Sequence, residues 1–200
     1  MLKKPNNYDE IQVNEDFTPI SLGGHKGVIM SAEEYTSPVS GNTSLRVCVD
    51  TAKDDSQPEY FAEQYRSNTN GDKKWSNSAI KYVSLKEDEN CVRMLKAFIT
   101  AIENSNSGFT YDWDKDTTQL KGKKVGLVFG LEEYTNDKGE KKTTTKLNQF
   151  RSIDKIDNIK IPKVKLLDGS FVEYEDFKPN ANSNLEVNDA VEITGDMLPF

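Results

Sequence analysis

The chain has 200 residues, of which 35% are hydrophobic and 30% are charged, and its net charge at neutral pH is −7. This length is sufficient for one domain with a hydrophobic core plus extensions. No run of about 18 apolar residues occurs, which excludes a membrane-spanning helix, and residues 1–7 lack the apolar segment of a signal peptide. Cys48 and Cys91 lie far apart and form no motif, which favours reduced thiols in a cytoplasmic protein.

The charge is unevenly distributed along the chain. Residues 173–200 contain seven carboxylates and one cation, a net charge of −6, which leaves −1 for residues 1–172. Residues 115–165 contain 13 cations and seven carboxylates, a net charge of +6. Acidic blocks of this kind are usually solvated interaction tails. The remaining basic body is compatible with a phosphate ligand, because its cations attract phosphates. We expect a flexible arm at 1–16, a globular domain at 17–172 and an acidic tail at 173–200.

Hydrophobic alternation predicts the first half of the fold. A first strand is expected within 16–37, with a turn at Gly23–Gly24, and a second strand at 44–52. A long polar excursion covers 53–74, and inside it 60–66 is compatible with a short helix or a short strand. Alternation in the second strand directs two sets of side chains to opposite faces: Leu45, Val47 and Val49, and Arg46, Cys48 and Asp50.

A third strand is predicted at 75–85, and the best-defined helix follows it. Ser84 and Glu87 have the spacing of a capping box, in which side chains bind the free backbone N–H groups at a helix start. Apolar residues then recur at helical spacing until a stop at 104–108. These apolar residues are Val92, Leu95, Phe98, Ile99 and Ile102. We interpret them as core packing.

Two long strands are predicted after the helix, at 123–134 and 140–156, joined by a hairpin turn at 136–139. A shorter hairpin around Asp168–Gly169 is expected within 159–172. The order strand, strand, strand, helix, strand, strand predicts a mainly β fold. It is the order of the OB fold, a five-stranded β-barrel with one helix that binds oligonucleotides along its second and third strands.

Binding to single-stranded nucleic acid requires cations for the phosphates and flat rings for the bases. Among the rings we favour Trp75, because a polar Gly-Asp-Lys-Lys run precedes it. Phe150 is second, since Lys142 and Lys146 share its predicted face. For each ring the competing interpretation is core packing, and for each lysine a solvated surface. The candidate DNA-binding residues are Arg46, Tyr65, Arg66, Lys74, Trp75, Lys81, Tyr82, Tyr134, Lys142, Lys146, Phe150 and Arg151.

Patterns for catalysis and metal binding are weak. Asp112, Asp114 and Asp116 have the opening spacing of a calcium loop, but Thr117 stands where the loop requires glycine. Two distant thiols and one histidine do not form a zinc site of the usual kind. No serine or cysteine nucleophile motif accompanies that histidine, His25, which we interpret as structural. We therefore expect no enzyme activity, no metal and no cofactor.

The last residues, 195–200, close the acidic tail with an apolar group. Phe200 can fill a pocket, Leu198 and Pro199 can stiffen the approach, and a basic rim can bind the carboxylate. An acidic tail that ends in Leu-Pro-Phe resembles the C-terminal tip of bacterial and phage single-stranded-DNA-binding proteins. In that family the tip docks onto replication and repair enzymes. The resemblance implies a protein-interaction site formed by Asp196, Met197, Leu198, Pro199 and Phe200.

A second resemblance covers the body of the chain. Residues 101–106, 121–134 and 150–156 resemble a family of small early-gene proteins of phages that infect Gram-positive bacteria. Members of that family sit in replication or recombination modules, which implies single-strand binding. The resulting hypothesis is a phage single-stranded-DNA-binding protein of the host bacterial cytoplasm, with replication or recombination proteins as partners. Alternatives are a strand-annealing recombination mediator, a phage inhibitor of a host defence protein, and a metal-dependent nuclease that uses the Asp112 cluster.

Overall fold

The computed structural model describes residues 3–4, 18–68 and 73–178, together with the backbone of 190–191. This part of the chain is mainly β and contains two α-helices, α1 (Tyr60–Ser67) and α2 (Glu89–Ser105). The strands are β1 (Gly23–Thr36), β2 (Thr43–Thr51), β3 (Trp75–Ser76), β4 (Ile80–Ser84), β5 (Lys124–Thr135), β6 (Lys141–Arg151), β7 (Val164–Lys165), β8 (Phe171–Val172) and β9 (Ala190–Val191). In the described residues, neither helix has the length and apolar content needed to cross a membrane.

One seven-stranded sheet organises the fold. Its hydrogen-bonded order is β4-β2-β1-β5-β7-β8, and β6 also pairs with β5. All pairings in this sheet are antiparallel except the short contact of β7 with β5 at Glu132. The ends β4 and β6 approach each other, but no strand pairing joins them within the described residues. The sheet is therefore not closed into the barrel that the sequence predicts.

The hydrophobic core lies where α2 packs against β4, β5 and β6. Alternating residues of β2 and β5 supply one side of it, and the C-terminal half of α2 supplies the other, with Phe98 and Ile102 fully enclosed. Each such side chain contributes about 1.5–3 kcal/mol relative to an exposed position. The helical spacing in 92–102 therefore predicts core packing correctly for its second half, whereas Val92 is 50% exposed.

Helix α1 covers the end of β2 and buries a carboxylate there. The Asp50 side chain accepts the backbone N–H groups of Phe61 (2.9 Å) and Ala62 (3.2 Å), which lie in the first turn of α1. These donors have no partner inside the helix, and the positive end of the helix dipole favours a nearby carboxylate. Residues 60–66 are therefore helical, and Asp50 and Cys48 are buried although they share a face with Arg46.

Gly23 and Gly24 begin β1, and the prediction of a turn at this place is wrong. They pair with Phe129 and Val128 of β5. A Cβ atom on Gly24 would collide with the backbone carbonyl oxygen of Ile156. Glycine is required at this position because another segment of backbone approaches the strand closely.

The predicted third strand at 75–85 is interrupted. Trp75 and Ser76 form β3, a 3-10 turn follows at Asn77–Ala79, and only Ile80–Ser84 joins the main sheet as β4. The run Ser76-Asn77-Ser78 explains the interruption, since serine and asparagine side chains compete with strand hydrogen bonds and favour turns. The long strand that alternation indicates is therefore two short strands in different sheets.

Helix α2 begins four residues later than the predicted capping box. Asp88 is the N-cap, and its carboxylate accepts the backbone N–H of Cys91 at 3.0 Å. Ser84 instead accepts the N–H of Lys86 in a local turn. Asn106 confirms the predicted stop, because its side-chain amide donates to the Ile102 carbonyl and so satisfies an unpaired group of the last turn.

Both predicted hairpin turns are confirmed. The Asn136 N–H donates to the Glu140 carbonyl at 3.0 Å, and Gly139 adopts a positive φ of 77° between β5 and β6. The turn around Asp168–Gly169 joins β7 to β8 in the same way, with Gly169 at a φ of 83°.

The first residues of the predicted acidic tail contact the domain. The carboxylate of Glu173 lies 3.1 Å from Lys160 Nζ and 2.8 Å from Lys163 Nζ. The backbone of Ala190–Val191 pairs antiparallel with β3. The predicted interaction residues 196–200 lie outside the described residues, as does the predicted arm at 1–16 apart from residues 3–4.

Candidate nucleic-acid interface

A cleft of about 380 Å³ lies between β4 and β6, which no strand pairing joins within the described residues. Lys81 and Tyr82 of β4 line one side, and Lys146 of β6 lines the other. The β7–β8 hairpin adds Lys165 and Phe171, because β7 pairs beside β5 at this level of the sheet. We call this site the lysine cleft. It brings together residues that lie up to 90 positions apart in the sequence, from Lys81 to Phe171.

Among the described residues that line the lysine cleft, three carry ammonium groups and one, Glu132, carries a carboxylate. Lys165 Nζ lies 2.6 Å from Glu132 Oε1, so that carboxylate is already engaged. Lys81 Nζ makes no hydrogen bond or ion pair to any residue that the structure describes. Burial lowers the pKa of Lys81, and Lys146 and Lys165 lower it further, against the opposing effect of Glu132. Such a local excess of positive charge favours an anionic ligand.

Two exposed rings border the lysine cleft. Tyr82 is 39% exposed and Phe171 is 60% exposed. The Tyr82 ring lies 5.5 Å from the ring of Tyr35, and the guanidinium of Arg46 lies 5.3 Å from the centre of Tyr35. Arg46 is positioned by an ion pair with Glu33. Tyr35, Arg46 and Tyr82 thus form a continuous strip across β1, β2 and β4, which we call the tyrosine strip.

Four of the predicted DNA-binding residues lie at these two surfaces: Arg46, Lys81, Tyr82 and Lys146. Tyr134 and Lys142 are paired across β5 and β6, on the face of β6 that also carries Lys146. The Lys142 side chain is only 13% exposed and lies 3.8 Å from Glu140. This pair continues the face of Lys146 toward the 136–139 turn.

Four other predicted residues lie elsewhere, beside α1 and β3. The indole of Trp75 is fully buried and donates its Nε1–H to the Val49 carbonyl at 3.2 Å. The Tyr65 ring packs 5.9 Å from it, and Arg66 lies 3.8 Å from Glu59. The expectation that Trp75 stacks on a base is corrected, because the indole turns inward under α1. Lys74 precedes it and is half-buried.

The expectation that Phe150 faces the same side as Lys142 and Lys146 is also wrong, because a β-bulge in β6 reverses the alternation beyond Lys146. Leu147 pairs with Phe129 and Gln149 pairs with Val128, which leaves one extra residue in β6. Phe150 therefore turns to the core side, where its ring lies 4.7 Å from Phe98.

A second, mostly apolar cavity of about 230 Å³ adjoins the lysine cleft. Its walls are apolar side chains of β4, α2 and β6, and we call it the apolar pocket. Lys81 lines both cavities, and Arg151 is the other cation beside the apolar pocket. The apolar lining consists of Val83, Met94, Ala97, Phe98 and Phe150.

His25 is buried and connects two segments that the sequence does not link. Its Nδ1 lies 2.8 Å from Asp55 Oδ2, and its Nε2 lies 2.9 Å from Ser21 Oγ. Serine, histidine and aspartate in this order form an acyl-transfer triad in hydrolases. Here, however, the Ser21 backbone N–H is already bound by Gln57 Oε1 at 2.7 Å, and the imidazole packs edge-on against Phe129. We interpret the network as an anchor between the residues before β1 and the 54–57 turn.

The aspartates at 112–116 form a solvated turn. Asp112 accepts the N–H of Asp114 at 3.0 Å, and Asp116 caps the 3-10 turn at Thr117–Leu120 by accepting the N–H of Thr118. Within the described ranges, no three His, Cys, Asp or Glu side chains converge closely enough to hold a metal ion.

Sequence reasoning missed Tyr35, Lys165 and Phe171. Tyr35 belongs to the first predicted strand, but only strand pairing brings it beside Tyr82. Lys165 and Phe171 lie in a predicted hairpin whose strands are two residues long, too short for alternation to indicate a face. No family model matches the chain, and no curated protein matches it. The functional interpretation therefore depends on the geometry of the lysine cleft and the tyrosine strip.

Proposed function

We propose that this protein binds single-stranded DNA without sequence preference, through an open barrel of the OB type. The strand order β4-β2-β1-β5-β6 supports this fold. So does the position of α2, which lies between β4 and β5 along the chain, as the helix of an OB fold lies between its third and fourth strands. OB folds bind oligonucleotides on their second and third strands, which correspond to β2 and β4. The observation that carries the proposal is the convergence of three lysines and two exposed rings at that edge.

In this proposal Lys146 and Lys165 bind phosphates, Lys81 adds positive charge beside the strand, and Tyr82 and Phe171 stack on bases. Phosphate contacts and base stacking carry little sequence information, which accounts for sequence tolerance. Stacking is worth about 1–3 kcal/mol per base. The tyrosine strip extends the path of the strand across β2, where Arg46 adds a further cation.

The biological role that we propose is in phage DNA replication or recombination, in the host bacterial cytoplasm. The acidic tail would recruit a replication or recombination enzyme through residues 196–200, which end in an apolar Leu-Pro-Phe group. The acidic character of 173–200 supports this part of the proposal, since acidic blocks are usually solvated interaction tails.

Fluorescence anisotropy of a labelled oligo-dT, with a duplex of equal length as competitor, tests the proposal at two salt concentrations. We expect tight binding of the single strand, weak competition by the duplex and a steep loss of affinity with salt. Replacing Lys146 and Lys165 together by alanine should reduce the salt slope by about 0.7 for each phosphate that is no longer neutralised. Tyr82→Ala should weaken binding by about 5- to 150-fold, the equivalent of one stacked base.

Lys121→Ala is the matched control, because Lys121 is an exposed lysine that lines neither cavity. We expect this variant to bind like the unmodified protein. Equal affinity of all these variants for oligo-dT, or equal affinity of the protein for single strand and duplex, would overturn the proposal.

A further inference from the structure

We infer that Lys81 captures the aldehyde of an abasic site in single-stranded DNA as an imine. The inference rests on the proposed function of the lysine cleft and assigns to it a further class of substrate, a damaged strand.

The position of Lys81 distinguishes it from the other cations of the site. Lys165 is ion-paired with Glu132 and its side chain is 48% exposed. Lys81 lies at the junction of the lysine cleft and the apolar pocket, half-buried and without a partner in the described part of the chain. A bound strand would place phosphates against Lys146 and Lys165, with the amine of Lys81 beside the sugar between them.

The environment of Lys81 increases its nucleophilicity. An ordinary lysine has a pKa of about 10.4 and is almost entirely protonated at neutral pH. Burial has the largest effect and lowers the pKa of Lys81; Glu132 opposes it, and the neighbouring Lys146 and Lys165 lower the pKa further. A larger share of Lys81 is therefore the neutral amine. Desolvation and a second cation are the same two devices that activate Schiff-base lysines in enzymes.

The covalent step requires no oxidant, reductant or metal. Lys81 loses a proton to water, and its Nζ lone pair adds to the C1′ carbonyl carbon of the ring-opened deoxyribose. The carbinolamine that results loses one molecule of water to form the C=N bond. Amine and aldehyde thus give imine and water, with no change of oxidation state.

An abasic nucleotide suits this position better than an intact nucleotide. It lacks the base that would stack on Tyr82 or Phe171, so its sugar can move deeper into the cleft toward the apolar pocket. Intact deoxyribose has no free aldehyde, because its C1′ carries the base. The chemistry therefore selects the damaged strand while the phosphate contacts remain the same.

Reductive trapping tests the inference. The full chain is incubated with an oligo-dT that carries one central abasic site, in the presence of cyanoborohydride, and the adduct is located by peptide mass spectrometry. Anisotropy with intact oligo-dT is measured in parallel, and trapping is scored as a fraction of the strand that is bound. We expect the adduct on Lys81.

Two charge-conserving variants provide the comparison, since a guanidinium does not form an imine. Lys81→Arg should lower the trapped fraction of bound strand at least tenfold, whereas Lys121→Arg, at an exposed lysine outside both cavities, should change it less than twofold. An adduct on Lys146 or Lys165 in the unmodified protein would overturn the inference, and so would binding of the abasic strand without trapping. Absence of binding to the intact strand would instead overturn the proposed function, and the inference with it.

Discussion

At the scale of a single residue, Asp50 couples the stability of the fold to pH. Asp50 is 2% exposed, and its carboxylate accepts backbone N–H groups from Thr51, Phe61 and Ala62. Burial raises the pKa of Asp50 to about 6, although these three hydrogen bonds oppose the shift. The helix cap therefore carries a group that the folded protein prefers to protonate.

The sign of the resulting pH dependence follows from proton binding. Between pH 3.8 and about 6 the folded state holds a proton on Asp50 that the unfolded state has lost. The stabilisation is complete below pH 3.8 and is lost as the pH rises through about 6. A shift of this size corresponds to about 3 kcal/mol of unfolding free energy.

Asp50→Asn removes the titration while retaining an oxygen that accepts N–H groups. We expect the free energy of unfolding of the unmodified protein to fall relative to this variant between pH 4 and pH 7, as measured by urea denaturation. Other titrating groups, such as Asp55 with its lowered pKa, are common to both proteins and cancel in the difference. Parallel pH profiles for the two proteins would contradict the assignment.

At the scale of an element, the bulge in β6 turns Phe150 toward the core, and Phe171 of β8 provides an exposed phenylalanine for comparison. Phe150 follows the extra residue and packs on Phe98 in the core, whereas Phe171 of β8 is exposed at the lysine cleft. We expect Phe150→Ala to cost about 3–5 kcal/mol of unfolding free energy, since it leaves a cavity in the core.

Phe171→Ala is the matched comparison, and it should change stability by less than about 0.5 kcal/mol because the ring is mostly in solvent. It should weaken oligo-dT binding, through the loss of a stacking surface. Urea denaturation and anisotropy measured on both variants check the assignment. Equal loss of stability in the two variants would show that the bulge does not set the facing of Phe150.

The same element shows why alternation alone is insufficient for site prediction. A strand has a period of two, so one inserted residue exchanges the inward and outward faces beyond it. Lys142 and Lys146 precede the bulge and lie on the predicted face, while Phe150 follows it and does not. The prediction for Trp75 is wrong for a related reason. Strand β3 ends after two residues, and the Trp75 ring packs under α1.

At the scale of the whole molecule, charge is segregated between a basic segment and an acidic tail. Residues 115–165 carry +6 and residues 173–200 carry −6. Two basic residues of this segment, Lys146 and Lys165, line the lysine cleft. Opposite charge attracts the carboxylates of the tail to such a surface. We propose that the tail competes with DNA for this surface.

Deletion of residues 186–200 removes four carboxylate side chains, and it should tighten oligo-dT binding at low salt. The gain should disappear near 1 M salt, where the screening length falls to about 3 Å. Replacing Glu186, Asp189, Glu192 and Asp196 by their amides is the control that retains the backbone of β9. We expect the same tightening from it. Unchanged affinity in both proteins would remove the competition model.

The sequence by itself determined most elements and their order. The strands predicted at 44–52 and 123–134, the helix α2 and both hairpin turns follow from local periodicity and turn residues, whose physical causes act within a few positions. The strand predicted at 140–156 is correct only as far as Arg151, where β6 ends and a 3-10 turn at Ile153–Lys155 follows. Charge segregation is also a property of the sequence alone. Of the candidate site, Arg46, Lys81, Tyr82 and Lys146 were predictable, because their cations and rings occupy strand positions.

The tertiary structure alone decided which of these residues lie together in the candidate site. The lysine cleft exists because β4 and β6 face each other without pairing in the part of the chain that the structure describes, and the β7–β8 hairpin completes it. The Ser21–His25–Asp55 network and the cap of Asp50 on α1 likewise join segments distant in sequence. Strand pairing and burial depend on the free energy of the whole fold, so no local pattern specifies which distant side chains meet.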